Sequence, residues 1–443
     1  MRTKSGHVLE LLRRYESQNV TFVEEDGSWP IVWQRAKGMH VWDEEWKRYL
    51  DFTAAFGVAA AGHGNARVVE AGARQMAKLL HAMGDVHPHE LKARLAQELS
   101  RLTFERWTRN SRRSAGKVIF CNSGFEAVEA ALKTALLATG KAGIVAFRGA
   151  YHGTGYGALN ATHRRHFRGP FERQLANFGF FLPYPAARNE LGKLERQLTT
   201  LFRREKIGAV LVEPVQARGG INVPPAEFLP MLRRVCDRAR GLLILDEIYT
   251  GFGRTGRWFA CEHRQTVPDL ICLGKALTGG FPLSACAGRA DLMDAAWPRS
   301  TGEAMHTSTF LGHPVGCAMA LAQLKEIERK DLVRRSAAHG RLLLDSLKTL
   351  RPPSGHRLNA RGLGLMAGLE ITGPRGEPST TFVLETIKRM LRSGFLLLPE
   401  GEHSNVIGIT PPLTISAAQI TRMIRAMQRE LDAERSISDR LIE

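Results

Sequence analysis

The residues best suited to chemistry are a pair of carboxylates and a lysine near the middle of the chain. Asp246 and Glu247 end an apolar run at 242–245, and Lys275 follows a second apolar run at 270–273. Runs this short and this apolar are typical of strands buried on both faces of a parallel sheet. Lys275 stands 29 positions after Asp246, which leaves enough chain for one crossover between neighbouring strands. The pattern predicts that these side chains meet at the carboxyl edge of an α/β sheet, where ligands bind.

A lysine amine beside a carboxylate suits the chemistry of pyridoxal phosphate (PLP). Burial at a strand end lowers the pKa of a lysine, so that its amine becomes available as a nucleophile. A PLP enzyme uses such a lysine to hold the cofactor's aldehyde, and an aspartate keeps the pyridine nitrogen protonated so that the ring withdraws electrons. The alternative is that Lys275 and Asp246 form only an ordinary surface salt bridge. The spacing alone leaves both interpretations open.

The stretch from 241 to 289 resembles the core of the class III PLP-dependent aminotransferases, particularly the omega-type 4-aminobutyrate and amine:pyruvate transaminases. The resemblance extends over roughly residues 20–430. The family's pattern of an acidic strand end, a glycine-rich loop, a Pro-Asp pair and a lysine is represented here by Asp246-Glu247, Arg254-Thr255-Gly256, Pro268-Asp269 and Lys275.

The resemblance implies an α/β protein of PLP-dependent transferase fold type I. Such a protein has a large domain, with a mainly parallel central sheet flanked by helices, and a smaller α+β domain. We expect residues 1–65 to contribute to the small domain and the active-site entrance, residues 66–325 to form the large PLP-binding domain, and residues 326–443 to form the carboxyl-terminal small domain. Alternating strand and helix patterns agree with this class, and the arginine-rich segment 160–205 is interpreted as a surface excursion.

The implied activity is transfer of an amino group from a primary amine or omega-amino acid to an α-keto acid, pyruvate or 2-oxoglutarate, by a ping-pong mechanism. Lys275 would move the proton between substrate and cofactor, and Asp246 would stabilise the protonated pyridine. The same fold also serves PLP-dependent aminomutases and decarboxylases, and a catalytically inactive scaffold is a further alternative. The identities of the amino donor and acceptor are left open.

The resemblance also implies the residues that hold the cofactor. The small turn at 123–125 precedes an alanine-rich helix, and free N–H groups at such a turn bind phosphate, although residue 125 is usually smaller than phenylalanine. Tyr151 matches an aromatic residue that stacks on the pyridine ring. Gln216 is expected near the phenolic oxygen of the ring, and Thr309 near the phosphate of a neighbouring subunit. The full cofactor-binding set is Ser123, Gly124, Phe125, Tyr151, His152, Glu213, Gln216, Asp246, Ile248, Lys275 and Thr309. Thr309 implies a homodimer with shared active sites.

The substrate pocket departs from the pattern of related enzymes. Many class III enzymes bind the α-carboxylate with an arginine at the position that Gly408 occupies here, and Arg218 stands where 4-aminobutyrate transaminases carry a glutamate. We hypothesise that Arg218 replaces the missing arginine as the carboxylate anchor; the alternative is that it lies on the loop surface. The missing arginine also suggests that plain amines are accepted. The substrate-binding candidates are Phe56, Tyr151, Thr154 and Arg218, with ordinary core packing as the alternative for Phe56.

Composition excludes several other classes of protein. The hydrophobic content of 44% and charged content of 24% are ordinary for a globular chain, and no segment approaches the ~20 apolar residues of a membrane span. The first residues lack the apolar region of a secretory signal. Six cysteines without a C-x-x-C pair favour a reducing cytoplasm, and no metal site is expected.

The net charge and one glycine-rich motif allow other interpretations. The net charge of +18 raises the possibility of nucleic-acid binding at Arg112-Arg113 or Arg164-Arg165. Since the basic residues are scattered and no recognition motif accompanies them, a basic surface that attracts anionic cofactor and substrate is preferred. The G-x-G-x-x-G sequence at 251–256 does not lie directly in a strand-to-helix turn, so a dinucleotide site is not expected.

Overall fold

The computed structural model describes residues 3–108 and 115–432, so the candidate basic patch Arg112-Arg113 lies outside the described residues. The helices are α1 Lys4–Tyr15, α2 Ala54–Gly57, α3 Ala66–Lys78, α4 Glu90–Leu102, α5 Phe104–Trp107, α6 Gly124–Thr139, α7 Tyr156–Leu159, α8 Arg165–Arg168, α9 Leu191–Arg204, α10 Phe228–Ala239, α11 Ala290–Ala296, α12 Pro314–Arg329, α13 Leu332–Lys348, α14 Thr380–Arg392 and α15 Ala417–Asp432. Within these ranges, no helix is long and apolar enough to cross a membrane.

The strands are β1 Trp33–Lys37, β2 His40–Asp43, β3 Arg48–Asp51, β4 Gly116–Cys121, β5 Gly143–Phe147, β6 Gly179–Leu182, β7 Ile207–Val212, β8 Leu242–Asp246, β9 Leu270–Leu273, β10 Ser284–Arg289, β11 Arg357–Gly362, β12 Ala367–Thr372, β13 Phe395–Leu396, β14 Leu398–Glu400 and β15 Val406–Ile409. Seven of them form a central sheet in the order β4-β10-β9-β8-β7-β5-β6. The pairs from β9 to β6 are parallel, and β10 is antiparallel to both of its neighbours. The predicted α/β class with a mainly parallel central sheet is confirmed.

The apolar runs of the sequence form strands whose alternate side chains face two separate cores. In β8, Leu243 and Leu245 pack in the larger core together with residues of β7 and β9. Leu242 and Ile244 point to the opposite face and pack against alanines of α6. Burial on both faces explains why the run shows no polar alternation. The carboxyl ends of β4, β5, β7, β8 and β9 consequently meet at one edge of the sheet.

The arginine-rich segment 160–205 is not simply a surface excursion. Residues 179–182 form β6, which pairs in parallel with β5 at the edge of the central sheet. The following helix α9 buries Leu191, Leu194 and Leu198. The prediction failed here because β6 is an edge strand of only four residues, three of them partly buried, too short for its apolar pattern to be distinctive.

Two smaller sheets bring the two ends of the chain together. One has the order β1-β2-β3-β13, so that Leu50 of the amino-terminal segment pairs with Phe395 of the carboxyl-terminal segment. The other has the order β11-β12-β15-β14, in which Leu398 stands opposite Gly408. We propose that residues 1–65 and 326–443 together form the small domain, and residues 66–325 the large one.

The glycine-rich loop at 251–256 packs between the central sheet and the carboxyl-terminal segment. Arg254 within this loop is fully buried, and its guanidinium donates hydrogen bonds to the carbonyl groups of Leu365 and Pro411. Burial lowers the pKa of Arg254 to about 10, against the opposing effects of Tyr249 and Asp51. The loop therefore has a packing role in the structure.

Candidate active site

A cavity of about 240 Å³ lies at the edge where the carboxyl ends of the parallel strands meet. This edge is the expected ligand site of an open α/β sheet. The predicted residues that line the cavity are Gly124, Phe125, Tyr151, His152, Thr154, Glu213, Arg218, Asp246, Ile248 and Lys275. These residues come from five separate strand ends and from the loops that follow them, so the fold assembles a site from positions that are distant in sequence.

Lys275 occupies a short turn immediately after β9. Its backbone has a positive φ of 42°, an uncommon conformation for a residue with a side chain. The Nζ atom lies 4.6 Å from the centre of the Tyr249 ring. Burial lowers the pKa of the Lys275 ammonium group, whereas the carboxylates of Asp246 and Glu213 oppose this shift. A lowered pKa makes the neutral, nucleophilic amine more accessible near neutral pH.

Asp246 at the end of β8 is buried and held by two hydrogen bonds. Its Oδ2 atom lies 2.8 Å from Nδ1 of His152, and its Oδ1 accepts a hydrogen bond of 3.1 Å from the N–H of Ile248. Nε2 of His152 is buried without a hydrogen-bond partner among the described residues. His152 therefore orients the carboxylate of Asp246.

Glu213, which follows β7, holds two loops around the cavity. Its Oε1 accepts a hydrogen bond of 3.0 Å from the N–H of Tyr151, and its Oε2 accepts one of 3.1 Å from the N–H of Ala217. Burial raises the pKa of Glu213 to about 7, with Asp246 acting in the same direction and His152 against it. Glu213 therefore positions the aromatic ring of Tyr151 and the loop that carries Arg218.

The structure turns the side chain of Gln216 away from the cavity. Its Nε2 donates to the carbonyl of Arg148 at 2.8 Å, and its Oε1 accepts from Asn222 at 3.0 Å. The neighbouring residues Val215 and Ala217 line the cavity instead. In this single chain, Gln216 supports the loop rather than facing the space expected to hold the cofactor ring.

Tyr249 is a cavity residue that the sequence analysis missed. Its ring lies under Lys275, and its hydroxyl group is 3.1 Å from Oγ1 of Thr410. Its position three residues after Asp246, at the carboxyl end of β8, was a signal that could have identified it.

The turn before α6 forms a cradle suited to an anion. Oγ of Ser123 is buried and finds no hydrogen-bond partner in the part of the chain that the structure describes, and the carbonyl of Ser123 accepts a hydrogen bond of 2.6 Å from the hydroxyl of Ser284. The N–H groups of Gly124 and Phe125 lie in the first helical turn, where no intrahelical acceptor exists. A Cβ atom at Gly124 would lie 3.1 Å from Ile248, so glycine permits close packing there. Free donors at a helix N-terminus bind phosphate.

Arg218 lies in the cavity wall rather than out on the loop surface. Its guanidinium group is 5.8 Å from the centre of the Tyr151 ring. Its Nη1 atom lies 3.9 Å from Oε2 of Glu400, a buried carboxylate that the sequence analysis did not single out. Because position 408 is a glycine, it contributes no charge here. Arg218 therefore supplies the positive charge at this end of the cavity.

Comparison with known proteins agrees with this arrangement. Residues 22–431 match the family model for class III aminotransferases. The chain is 35% identical to an acetylornithine aminotransferase of Methanosarcina mazei, covering 91% of this chain and 92% of that protein. It is also 35% identical to the 5-aminovalerate aminotransferase DavT of Pseudomonas aeruginosa, covering 89% of this chain and 91% of that protein. The chain belongs to the class III aminotransferases.

The fold comparison gives the same family. An amine transaminase from an uncultivated Pseudomonas species, solved in its PLP-bound form, superimposes on the aminotransferase with a TM-score of 0.84 and 29% sequence identity, covering 95% of this chain and 98% of that one. Class III aminotransferases depend on PLP. The residues present fit that cofactor, because the unpartnered Ser123 hydroxyl and the free N–H groups of α6 suit its phosphate.

Besides Ser123 and Gln216, the predicted residues Phe56 and Thr309 of the aminotransferase lie outside the cavity lining. Phe56 is half exposed at a positive φ of 61°, although its neighbour Gly57 packs against Tyr249. Thr309 is exposed in a turn whose neighbour Ser308 contacts Asn122 at 3.4 Å. The role expected of Thr309 requires a second subunit and stays a prediction.

Proposed function

We propose that this enzyme is an omega-type aminotransferase that moves an amino group from a primary amine or an omega-amino acid to pyruvate or 2-oxoglutarate by a ping-pong mechanism. The observation that carries the proposal is Lys275, whose lowered pKa and position opposite the Asp246–His152 pair suit amine chemistry. Relatives named for acetylornithine, 5-aminovalerate and amine substrates support it.

When bound, PLP supplies an aldehyde that captures the substrate amine and a ring that withdraws electrons from the substrate carbon. Nζ of Lys275 would hold that aldehyde, and its neutral amine would serve as the base and acid that moves a proton at the reacting carbon. The ring of Tyr249 beneath Nζ restricts where the amine can move.

The remaining cofactor-binding residues have positional roles in this proposal. The hydroxyl of Ser123 and the N–H groups of Gly124 and Phe125 bind the phosphate, while the side chain of Phe125 packs against Gly153 and Gly155. Tyr151 and Ile248 both line the cavity and would contact the cofactor ring. Asp246, whose carboxylate is fixed by its contact with Nδ1 of His152, would stabilise a proton on the pyridine nitrogen.

Arg218 binds the carboxylate of the α-keto acid in this proposal, and Thr154 lines the route by which the substrate enters. A guanidinium group can form two parallel hydrogen bonds with a carboxylate. Arg218 is suited to this role because one third of its side chain is exposed and Glu400 does not hydrogen-bond it.

We further propose that the enzyme is a cytoplasmic homodimer. Exposed apolar residues cluster where the segment 80–86 packs against the segment 305–311, a contact that includes the ring pair His81–Phe310. A second subunit docking there would bring Thr309 towards the neighbouring phosphate. All six cysteines are buried and unpaired, which suits a reducing compartment.

An absorbance experiment tests the proposed function. Purified protein loaded with PLP should show a visible cofactor band that bleaches with 1-phenylethylamine or 4-aminobutyrate and returns with pyruvate or 2-oxoglutarate. A band that bleaches but never returns with any keto acid would favour an aminomutase or a decarboxylase. Protein that acquires no band with added PLP would overturn the proposal.

A further inference from the structure

The carboxylate of Glu400 is buried beside the active-site cavity and lacks a hydrogen-bond partner for one oxygen. The residue is 5% exposed, and no donor among the described residues hydrogen-bonds its Oε2 atom. Buried polar atoms are nearly always hydrogen-bonded, and an exception requires an explanation. The mechanism proposed above gives Glu400 no role.

The backbone fixes Glu400 close to Arg218. Glu400 ends β14, and the N–H of the next residue, Gly401, donates to the carbonyl of Arg218 at 3.1 Å. The Glu400 side chain lies across Gly408 on β15, so that a Cβ atom at position 408 would be 2.8 Å from Cγ of Glu400. Only glycine at 408 leaves this space. Gly408, at the position where related enzymes carry an arginine, therefore leaves room for the carboxylate of Glu400.

The surrounding cations do not satisfy Glu400 permanently. The nearest, Arg218, is 3.9 Å away, beyond hydrogen-bonding distance. Lys275 and Arg164 also interact with the carboxylate electrostatically, and Glu213 repels it. Lys275 takes part in the proposed reaction, and Arg218 lies too far from Glu400 to hydrogen-bond it, so neither cation satisfies Oε2. A buried carboxylate without a cation is costly, and a positively charged substrate group would remove that cost.

We infer that Glu400 selects the amino donor, and that the preferred donor is a diamine whose second ammonium group binds the Glu400 carboxylate. This inference rests on the proposed transaminase function and narrows its substrate class. An omega-amino acid of the same length would place its carboxylate beside Glu400, where like charges repel. A monoamine would place a methyl group there and leave Oε2 unpartnered.

The test compares donors that differ only at the far end. PLP-loaded enzyme is mixed with 1,5-diaminopentane, pentylamine or 5-aminopentanoate, and the second-order rate of loss of the cofactor band is measured. The comparison is repeated for chains of three to six carbons, because the bound pose sets the distance from the reacting carbon to Glu400. The diamine should exceed the monoamine by about tenfold or more at its best length, the effect of one hydrogen bond to a charged group, and the amino acid should react most slowly.

Two variants separate this interaction from a general charge effect. Glu400→Gln keeps the size of the side chain but removes its charge, and should bring the diamine-to-monoamine ratio close to one. Glu402→Gln changes an exposed carboxylate two residues away and should leave the ratio as in the wild type. Equal rates for diamine and monoamine at every length, a preference for the amino acid, or a ratio that survives in Glu400→Gln would each overturn the inference.

The same experiment distinguishes failure of the inference from failure of the proposed function. If monoamines bleach the cofactor band and keto acids restore it while diamines hold no advantage, only the role of Glu400 is wrong. If no amine of any kind bleaches the band, the proposed function is overturned and the inference with it.

Discussion

At the scale of single residues, the site combines groups whose pKa values are shifted in ways that suit their roles. Burial lowers the pKa of Lys275 and raises that of Glu213 to about 7. Such shifts concentrate at active sites, because burial and neighbouring charges are arranged there for chemistry. Arg218 and Glu400 lie 3.9 Å apart, and the side chain of Glu400 occupies the space left by Gly408.

Replacing Arg218 by alanine should weaken use of carboxylate-bearing acceptors. We expect kcat/KM for pyruvate to fall at least about tenfold, since a charge-assisted hydrogen bond is lost. An aldehyde without a carboxylate should be affected much less. Steady-state kinetics with both acceptors would measure this difference, and Arg165→Ala, an exposed arginine on α8, is the control. A loss below tenfold for pyruvate would remove Arg218 as the anchor.

The burial of Glu400 predicts a pH-dependent stability effect. Burial raises the pKa of Glu400 to about 7, opposed by Arg218, Lys275 and Arg164. The folded state therefore binds a proton more tightly than the unfolded state, whose glutamate pKa is near 4.5. The stability from this group is fully present below pH 4.5 and is lost as the pH rises through 7.

Glu400→Gln should consequently stabilise the fold relative to wild type more at pH 8 than at pH 6. Urea unfolding at the two pH values measures the difference, with Glu402→Gln as the exposed control. A difference between variant and wild type that is the same at both pH values would contradict the burial of an ionisable carboxylate at 400.

Among the elements, the carboxyl edge of the central sheet positions the site. The contact between α13 and the segment 362–366 lies next to the loop that follows β8, and it joins the carboxyl-terminal part of the chain to the central sheet. Gly340 of α13 packs directly on the backbone of Gly364. Nearby, Ser336 of the same helix donates a hydrogen bond to the carbonyl of Arg254 at 2.9 Å. A close approach of two backbones leaves no room for a side chain.

Two glycine-to-alanine substitutions in helices should therefore have opposite effects. At an open helical position, alanine stabilises by about 0.5–1 kcal/mol; Gly192 of α9 is such a position, because the nearest atom to an added Cβ would be 3.7 Å away. At Gly340 the added methyl group meets rigid backbone and should cost about 1–3 kcal/mol. Thermal or urea unfolding of both variants provides the measurement. Stabilisation by Gly340→Ala would show that the two backbones are further apart.

At the scale of the whole molecule, the proposed homodimer explains an exposed apolar surface. Leu80, Met83, Val86, Met305 and Phe310 are all more than half exposed. Large exposed apolar patches mark interaction sites. Thr309 lies within this surface, so its predicted contact with a neighbouring phosphate depends on the assembly.

Phe310→Arg should weaken the dimer and the affinity for PLP together. The charged group would be buried without a partner at the proposed interface. Light scattering coupled to size-exclusion chromatography gives the mass, and titration of the apo form with PLP gives the affinity. Leu384→Arg, which changes an exposed leucine on α14, is the control. A variant that stays dimeric with normal PLP affinity would locate the interface elsewhere.

Much of the fold and part of the site could be predicted from local patterns. The buried strands β7, β8 and β9 were evident because continuous apolar runs require burial on both faces. Asp246 and Lys275 followed from the ends of those runs. Strand β6 was missed because its pattern is short and weak, and Gln216 was expected at the ring although its side chain bonds Arg148 and Asn222.

The α/β class and the family follow from residue types at fixed local spacing, and the same spacing predicts the chemistry proposed for Lys275 and Asp246. Tertiary packing, in contrast, places Tyr249 under Lys275, His152 against Asp246 and Glu400 beside Arg218. The last contact joins residues 182 positions apart through the pairing of β14 with β15 and the space left by Gly408. No local pattern records such a contact, because it is created when the sheets pack together.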